Sequence, residues 1–154
     1  MKIKNILVTT VATLVFVPAL GNATQAATWK RYTPAVLRGH WKALHKIPAM
    51  GGHLRPYCIV KKDYFNAGAF SDPALNNKVQ YRHKTDSQIY YIKCHEIVYS
   101  HEKQVNYYKF ILHNSNKSGK KYMLKFKFLG ARIPQYKHNK FTSYKEGYGK
   151  WLYR

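Results

Sequence analysis

Acid is what this chain is short of. Its 154 residues include 6 Asp and Glu against 27 Lys and Arg. Asp63, Asp72, Asp86, Glu96, Glu102 and Glu146 are the whole supply. Glycoside hydrolysis needs two converging carboxylates, and nothing in the spacing of these six marks such a pair. Asp63, Asp72 and Asp86 fall in loop-like stretches, where turn formation accounts for them. Cysteine is nearly as scarce. Cys58 and Cys94 lie deep in the chain, which leaves no lipidation site. Long apolar runs stop early: residues 6–17 form one, shorter than the ~20 residues that span a bilayer, and none follows it. Gly-x-Ser-x-Gly, His-Glu-x-x-His and the phosphate-binding loop are all missing, so the common hydrolase, zinc-protease and nucleotide signatures are excluded. No catalytic residue, metal or cofactor is expected.

What is there begins with that early run. Lys2 and Lys4 precede it, Pro18 and Gly21 break it, and Thr24 and Ala26 supply the small residues of a cleavage site. This is the pattern of a secretory signal peptide over residues 1–26. The expectation is a single secreted domain over 27–154, released or held non-covalently at the cell surface. Lys2 and Lys4 fall in the leader, which leaves 25 basic residues against 6 acidic ones, a net of +19. Solubility asks for a charge of only about 2–8 on a small domain. The excess repels itself and favours an anionic partner. For an exported chain that partner is an anionic cell-wall polymer, teichoic-acid-like, or an anionic lipid surface, ahead of nucleic acid.

The part after residue 26 reads as β. Residues 33–37 suggest one helical turn, with Thr33 as N-cap and Pro34 in the first position. Strands are expected over 38–46 and 54–62, with a turn at 47–52 and a loop at 63–77. A short strand follows at 78–83. Residues 88–99 alternate, with Tyr90, Ile92, Cys94 and Val98 on one face and Glu96 interrupting it. Residues 104–113 and 121–129 flank a hairpin loop at 114–119. In the second of these, Tyr122, Leu124, Phe126 and Phe128 point inward while Lys125 and Lys127 point outward. Short strands complete the chain. Seven to nine short strands at hairpin spacing predict an all-β fold, a small antiparallel β-barrel or a sandwich.

One local pattern carries a resemblance. Leu37-Arg38-Gly39-His40-Trp41 follows the helical turn and opens the first long strand. Gly-x-Trp at that place resembles the first-strand motif of the calycins, the lipocalin and avidin-type barrels. The resemblance implies that Trp41 lies across the closed end of a barrel, that Gly39 lets the ring pass close to a neighbour, and that an arginine late in the chain, Arg154 ahead of Arg132, packs over the indole. More broadly, the chain resembles small exported proteins of lactic acid bacteria that open with Tyr-Thr-Pro and Leu-Arg-Gly-x-Trp after the leader. That likeness implies export and assigns no activity.

Several constellations invite chemistry. Cys58 and Cys94 sit in two expected strands, and either one disulfide or two buried thiols fits them. Cys94-His95-Glu96 sets a thiol beside a base, yet strand neighbours point to opposite faces, which defeats a nucleophilic pair. His95-Glu96 and His101-Glu102 stand about 20 Å apart along an extended strand, too far for one ion. The strongest signal is the interleaving of cations and rings. Lys117, Lys120, Lys121, Lys125, Lys127, Lys137 and Lys140 are the candidate anion contacts, with tyrosines between them for stacking on sugars or bases. Two further classes fit less well: a barrel binding a small apolar ligand under Trp41, and a cationic membrane-active or inhibitory protein.

Overall fold

The computed structural model describes residues 28–49, 51–68, 74–98, 104–134, 141–143 and 149–154. The leader expected over 1–26 lies outside them. The strands run in chain order as β1 (Lys30–Arg31), β2 (Gly39–Ala43), β3 (Ile47–Ala49), β4 (Gly52–Leu54), β5 (Tyr57–Val60) and β6 (Tyr64–Gly68). Then come β7 (Ala74–His83), β8 (Ile89–Glu96), β9 (Val105–Asn114), β10 (Tyr122–Arg132), β11 (Phe141–Ser143) and β12 (Leu152–Tyr153). A single 3₁₀ turn, Ala35–Leu37, precedes β2.

Eight of these strands close into an antiparallel barrel in the order β2, β5, β6, β7, β8, β9, β10 and β12, with β12 returning to β2. Closure removes the sheet edges that would otherwise pair with other chains. β1 adds to the outside of β7, β11 extends β10, and β3 with β4 forms a separate two-stranded ribbon. The expected barrel is therefore present.

Alternation builds the core. Trp41, Cys58, Val60, Phe65, Ile92, Cys94, Phe110 and Leu124 each point inward and are buried. Phe65 is the centre: its ring meets Tyr108, Phe110 and Phe126 edge-on, with centroids 4.9, 5.3 and 5.8 Å away. β6 thus touches β9 and β10 across the barrel. Edge-to-face pairs of this kind add about 0.5–1.5 kcal/mol each beyond the burial of their area.

The structure corrects the expected loop at 63–77. Residues 64–68 form β6 and residues 74–77 open β7. Asn66, Gly68, Asn76 and Asn77 are turn formers by propensity, but strand partners on both sides override them. Asn76 faces the interior and hydrogen-bonds there, so its polarity serves the core and not a turn. The turn expected at 47–52 likewise contributes to β3 and β4. Thr33 does not cap the helical turn. Pro34 holds the N-cap position, and the buried Thr33 hydroxyl has no hydrogen bond. The Thr33 carbonyl instead accepts both Nε and Nη2 of Arg38, at 2.9 and 2.7 Å.

Asp63 has a task beyond its turn. Its Oδ1 accepts the Val79 amide at 2.8 Å. This occurs where β7 slips register against β8 between Asn77 and Gln80, with Lys78 at φ +50°. The carboxylate satisfies an amide close to the bulge.

Candidate functional site: a basic and aromatic outer face

The barrel has two ends. Gly39 opens β2 and Arg154 follows β12, so both lie at one end, with the first residues of β10. The structure brings Gly39, Trp41 and Arg154 together there. Trp41 is fully buried, and its Nε1 donates to the Leu37 carbonyl at 2.8 Å. The Arg154 guanidinium carbon stands 4.7 Å from the centre of the indole. Its Nη2 donates to the Val36 carbonyl at 3.1 Å and its Nη1 to the Arg38 carbonyl. One cation therefore stacks on the indole and satisfies two carbonyls of the 3₁₀ turn and its cap.

The other end, where β8 finishes and β7 and β9 begin, is polar inside. Asn76, Glu96 and Asn106 are buried. Asn106 Nδ2 donates to Asn76 Oδ1 at 3.1 Å, and Gln104 Nε2 donates to Asn106 Oδ1 at 2.8 Å. Glu96 Oε1 accepts the Val98 amide at 2.7 Å, which turns the chain at the strand end. Burial pushes the Tyr108 phenol well above its ordinary range.

Cys58 and Cys94 are both free and buried, so the disulfide that the sequence allowed is not formed. The reason is topological. Cys58 is on β5 and Cys94 on β8, with β6 and β7 between them. Burial raises both thiols far above the ordinary value, with Glu96 adding to the effect at Cys94. A thiol so far from its thiolate is a poor nucleophile. His95, the next residue, is on the opposite, half-exposed side of β8.

The outer face of β7 to β10 carries different chemistry. A groove of about 440 Å³ is lined by Trp29, Arg82, Tyr91, Lys93, Tyr107, Leu129, Arg132 and Phe141, with the inner residues Ile92 and Tyr108 at its base. Among the described residues no carboxylate lines it. The Arg82 guanidinium and the Lys93 ammonium each lie 5.0 Å from the Trp29 ring centre. Arg82 stands equally close to Tyr91. Tyr107 meets Trp29 edge-on at 6.3 Å and Phe141 at 5.4 Å. Strand alternation accounts for the arrangement: Ile92 and Tyr108 point in, so Tyr91, Lys93 and Tyr107 must point out.

The lysines singled out from the sequence are dispersed by comparison. Lys137 and Lys140 lie outside the described residues. Lys117, Lys120 and Lys121 are exposed in the β9–β10 hairpin, Lys121 standing 5.3 Å from the Tyr122 ring. Lys125 and Lys127 are half-buried on the outside of β10, with Lys125 Nζ 4.5 Å from the Trp151 ring. The groove residues Trp29, Arg82, Lys93 and Arg132 are absent from that set. The outward phase of residues 88–95, with Tyr91 and Lys93 on one side, was the available signal.

No family model, no curated protein and no solved structure matches the chain.

Proposed function

We propose that the chain is a secreted binding protein whose outer β-face grips an anionic polymer of the cell envelope through the Trp29 groove. The observation that carries this reading is the Trp29 indole with two cations on it, Arg82 and Lys93, in a groove that holds Arg132 and, among the described residues, no acid. Arg presents a planar fork suited to phosphate oxygens, and Lys a compact charge. An aromatic ring beside them gives a sugar or polyol segment a flat apolar surface. The charge of +19 on residues 27–154, 25 basic against 6 acidic, draws such a polymer in from a distance. The barrel interior supports the same reading: the Phe65 cluster occupies its middle, so the outer face is where chemistry is on offer.

The test is co-sedimentation of the purified protein with bacterial cell walls, before and after chemical removal of their phosphate polymers. Retention should be lost on stripping, and lost on intact walls in high salt, because exposed charge pairs are screened. Equal retention on stripped walls, or retention that ignores salt, overturns the reading.

A further inference from the structure

A second basic cleft crosses the outside of β12, between segment 44–47 and the β9–β10 hairpin. Its volume is about 420 Å³. His45, Lys46, Lys117, Lys150, Trp151 and Tyr153 line it, and among the described residues no carboxylate does. Its construction repeats that of the Trp29 groove. Trp151 takes the Lys125 ammonium at 4.5 Å on its ring and meets His113 edge-on at 5.4 Å.

The two clefts are connected. Arg82 on β7 lies opposite Tyr91 on β8, Tyr91 opposite Lys109 on β9, and Lys109 opposite Lys127 on β10. These four residues form a row across the strands. Lys125, two residues before Lys127 and so on the same face, reaches from that row to Trp151. Adjacent strands stand about 4.8 Å apart, so the path from β7 to β12 covers about 19 Å. Lys109 and Lys127 stand directly opposite one another, so the row sets two cations side by side on the outer face.

We propose that the β12 cleft is a second subsite for the same polymer, which runs across the strands from Trp29 to Trp151 along the Arg82–Tyr91–Lys109–Lys127 row. This rests on the binding reading given above and adds an orientation and a minimum length. A polyanion engages both clefts at once only if it is longer than the backbone path of about 19 Å, because it runs on the side-chain tips outside the curved barrel wall. A shorter one engages a single cleft and forgoes the gain that linkage gives.

Calorimetric titration with inorganic polyphosphate tests this, using tripolyphosphate as the short probe and a long-chain preparation as the long one. Lys117 and Lys150 are both exposed, so Lys117→Gln with Lys150→Gln leaves the fold intact. Lys61→Gln with Lys62→Gln removes the same charge from the β5–β6 turn and serves as the control. The β12 double variant should weaken long-chain binding by about tenfold or more, while the control should weaken it by less than about threefold. Tripolyphosphate should still bind the β12 variant through the Trp29 groove. Long-chain binding that falls no further in the β12 variant than in the control overturns the second subsite and leaves the groove standing. A wild-type protein that binds neither probe overturns the groove reading as well.

Discussion

Arg154 and Gly39 are fitted to one another: a methyl built on Gly39 would stand 2.7 Å from Arg154 Cδ and 2.9 Å from its Nη1. Gly39 also holds φ at +137°, a backbone region that side chains rarely adopt. Gly39→Ala therefore meets two penalties, strain and clash, and should cost about 2 kcal/mol or more. Arg154→Ala removes the stack on Trp41 and leaves the Val36 and Arg38 carbonyls short of a donor, for about 1–3 kcal/mol. Together the two should cost less than their sum, by about 1 kcal/mol, because the clash vanishes with the arginine while the strain stays. Urea unfolding of the four proteins measures the coupling. Strict additivity would show that the two side chains do not meet.

That grouping was not readable from spacing. Arg154 stands more than 110 residues from Gly39 and Trp41, and their association came from the resemblance carried by Gly-x-Trp. The barrel was legible because alternation in 88–95 and 121–129 is strong. β6 and the start of β7 were not, because Gly68, Asn76 and Asn77 read as turn residues until Asn76 is seen paired with Asn106 inside. The Trp29 groove was hidden for another reason. It draws on β7, β8, β9 and β10, and its composition depends on register. A slip of one residue turns every side chain to the other face, and β7 and β10 each contain a register shift, at Asn77/Gln80 and Phe128/Gly130. Gly130 marks a bend at the second of these shifts, but no sequence pattern announces the first.

The buried thiols predict sensitivity to alkali. The ordinary thiol value is 9.0, and burial lifts both Cys58 and Cys94 well above it. The folded protein keeps protons that the unfolded chain releases. This stabilisation is complete below about pH 9 and is lost as pH rises beyond it. Between pH 9 and 11 the unfolding free energy should fall by up to about 1.4 kcal/mol per pH unit for each thiol. Tyr108, with its ordinary value of 10.0 likewise raised by burial, adds to the fall from about pH 10. Thermal unfolding followed from pH 7 to 11 should show the decline, and Cys58→Ala with Cys94→Ala should flatten its first part. A double variant with an unchanged slope would mean that the thiols do not cause it.

The polar end of the barrel predicts an asymmetry between single and double substitutions. Asn106→Leu strands the buried Asn76 Oδ1 and removes one acceptor from Gln104 Nε2, and should cost about 1–3 kcal/mol, because a buried polar group is left unsatisfied. Asn76→Leu in the same protein removes one stranded partner and adds apolar contact. The double variant should therefore be more stable than Asn106→Leu alone. Chemical denaturation compares them. A further loss in the double variant would show that the bond from Asn76 Nδ2 to the Ala74 carbonyl outweighs the partner lost with Asn106.

Binding at the groove separates charge from shape. Arg82→Gln and Lys93→Gln each remove one cation from Trp29. If each contacts one phosphate of a polyanion, each should lower the slope of log K against log salt by about 0.7–0.9. Trp29→Ala should leave that slope unchanged, since no charge is lost. It should weaken binding at every salt concentration, and more for a polymer that carries sugar or polyol segments than for bare polyphosphate, because only the former has an apolar face for the indole. Trp29→Phe should recover part of the loss by restoring an aromatic surface. Titrations of the three single variants and Trp29→Phe against both polymers, over a series of salt concentrations, read all of this directly. Equal weakening of both polymers by Trp29→Ala would reduce the indole to a spacer for Arg82 and Lys93, and a salt slope untouched by either Gln variant would remove those cations from the site.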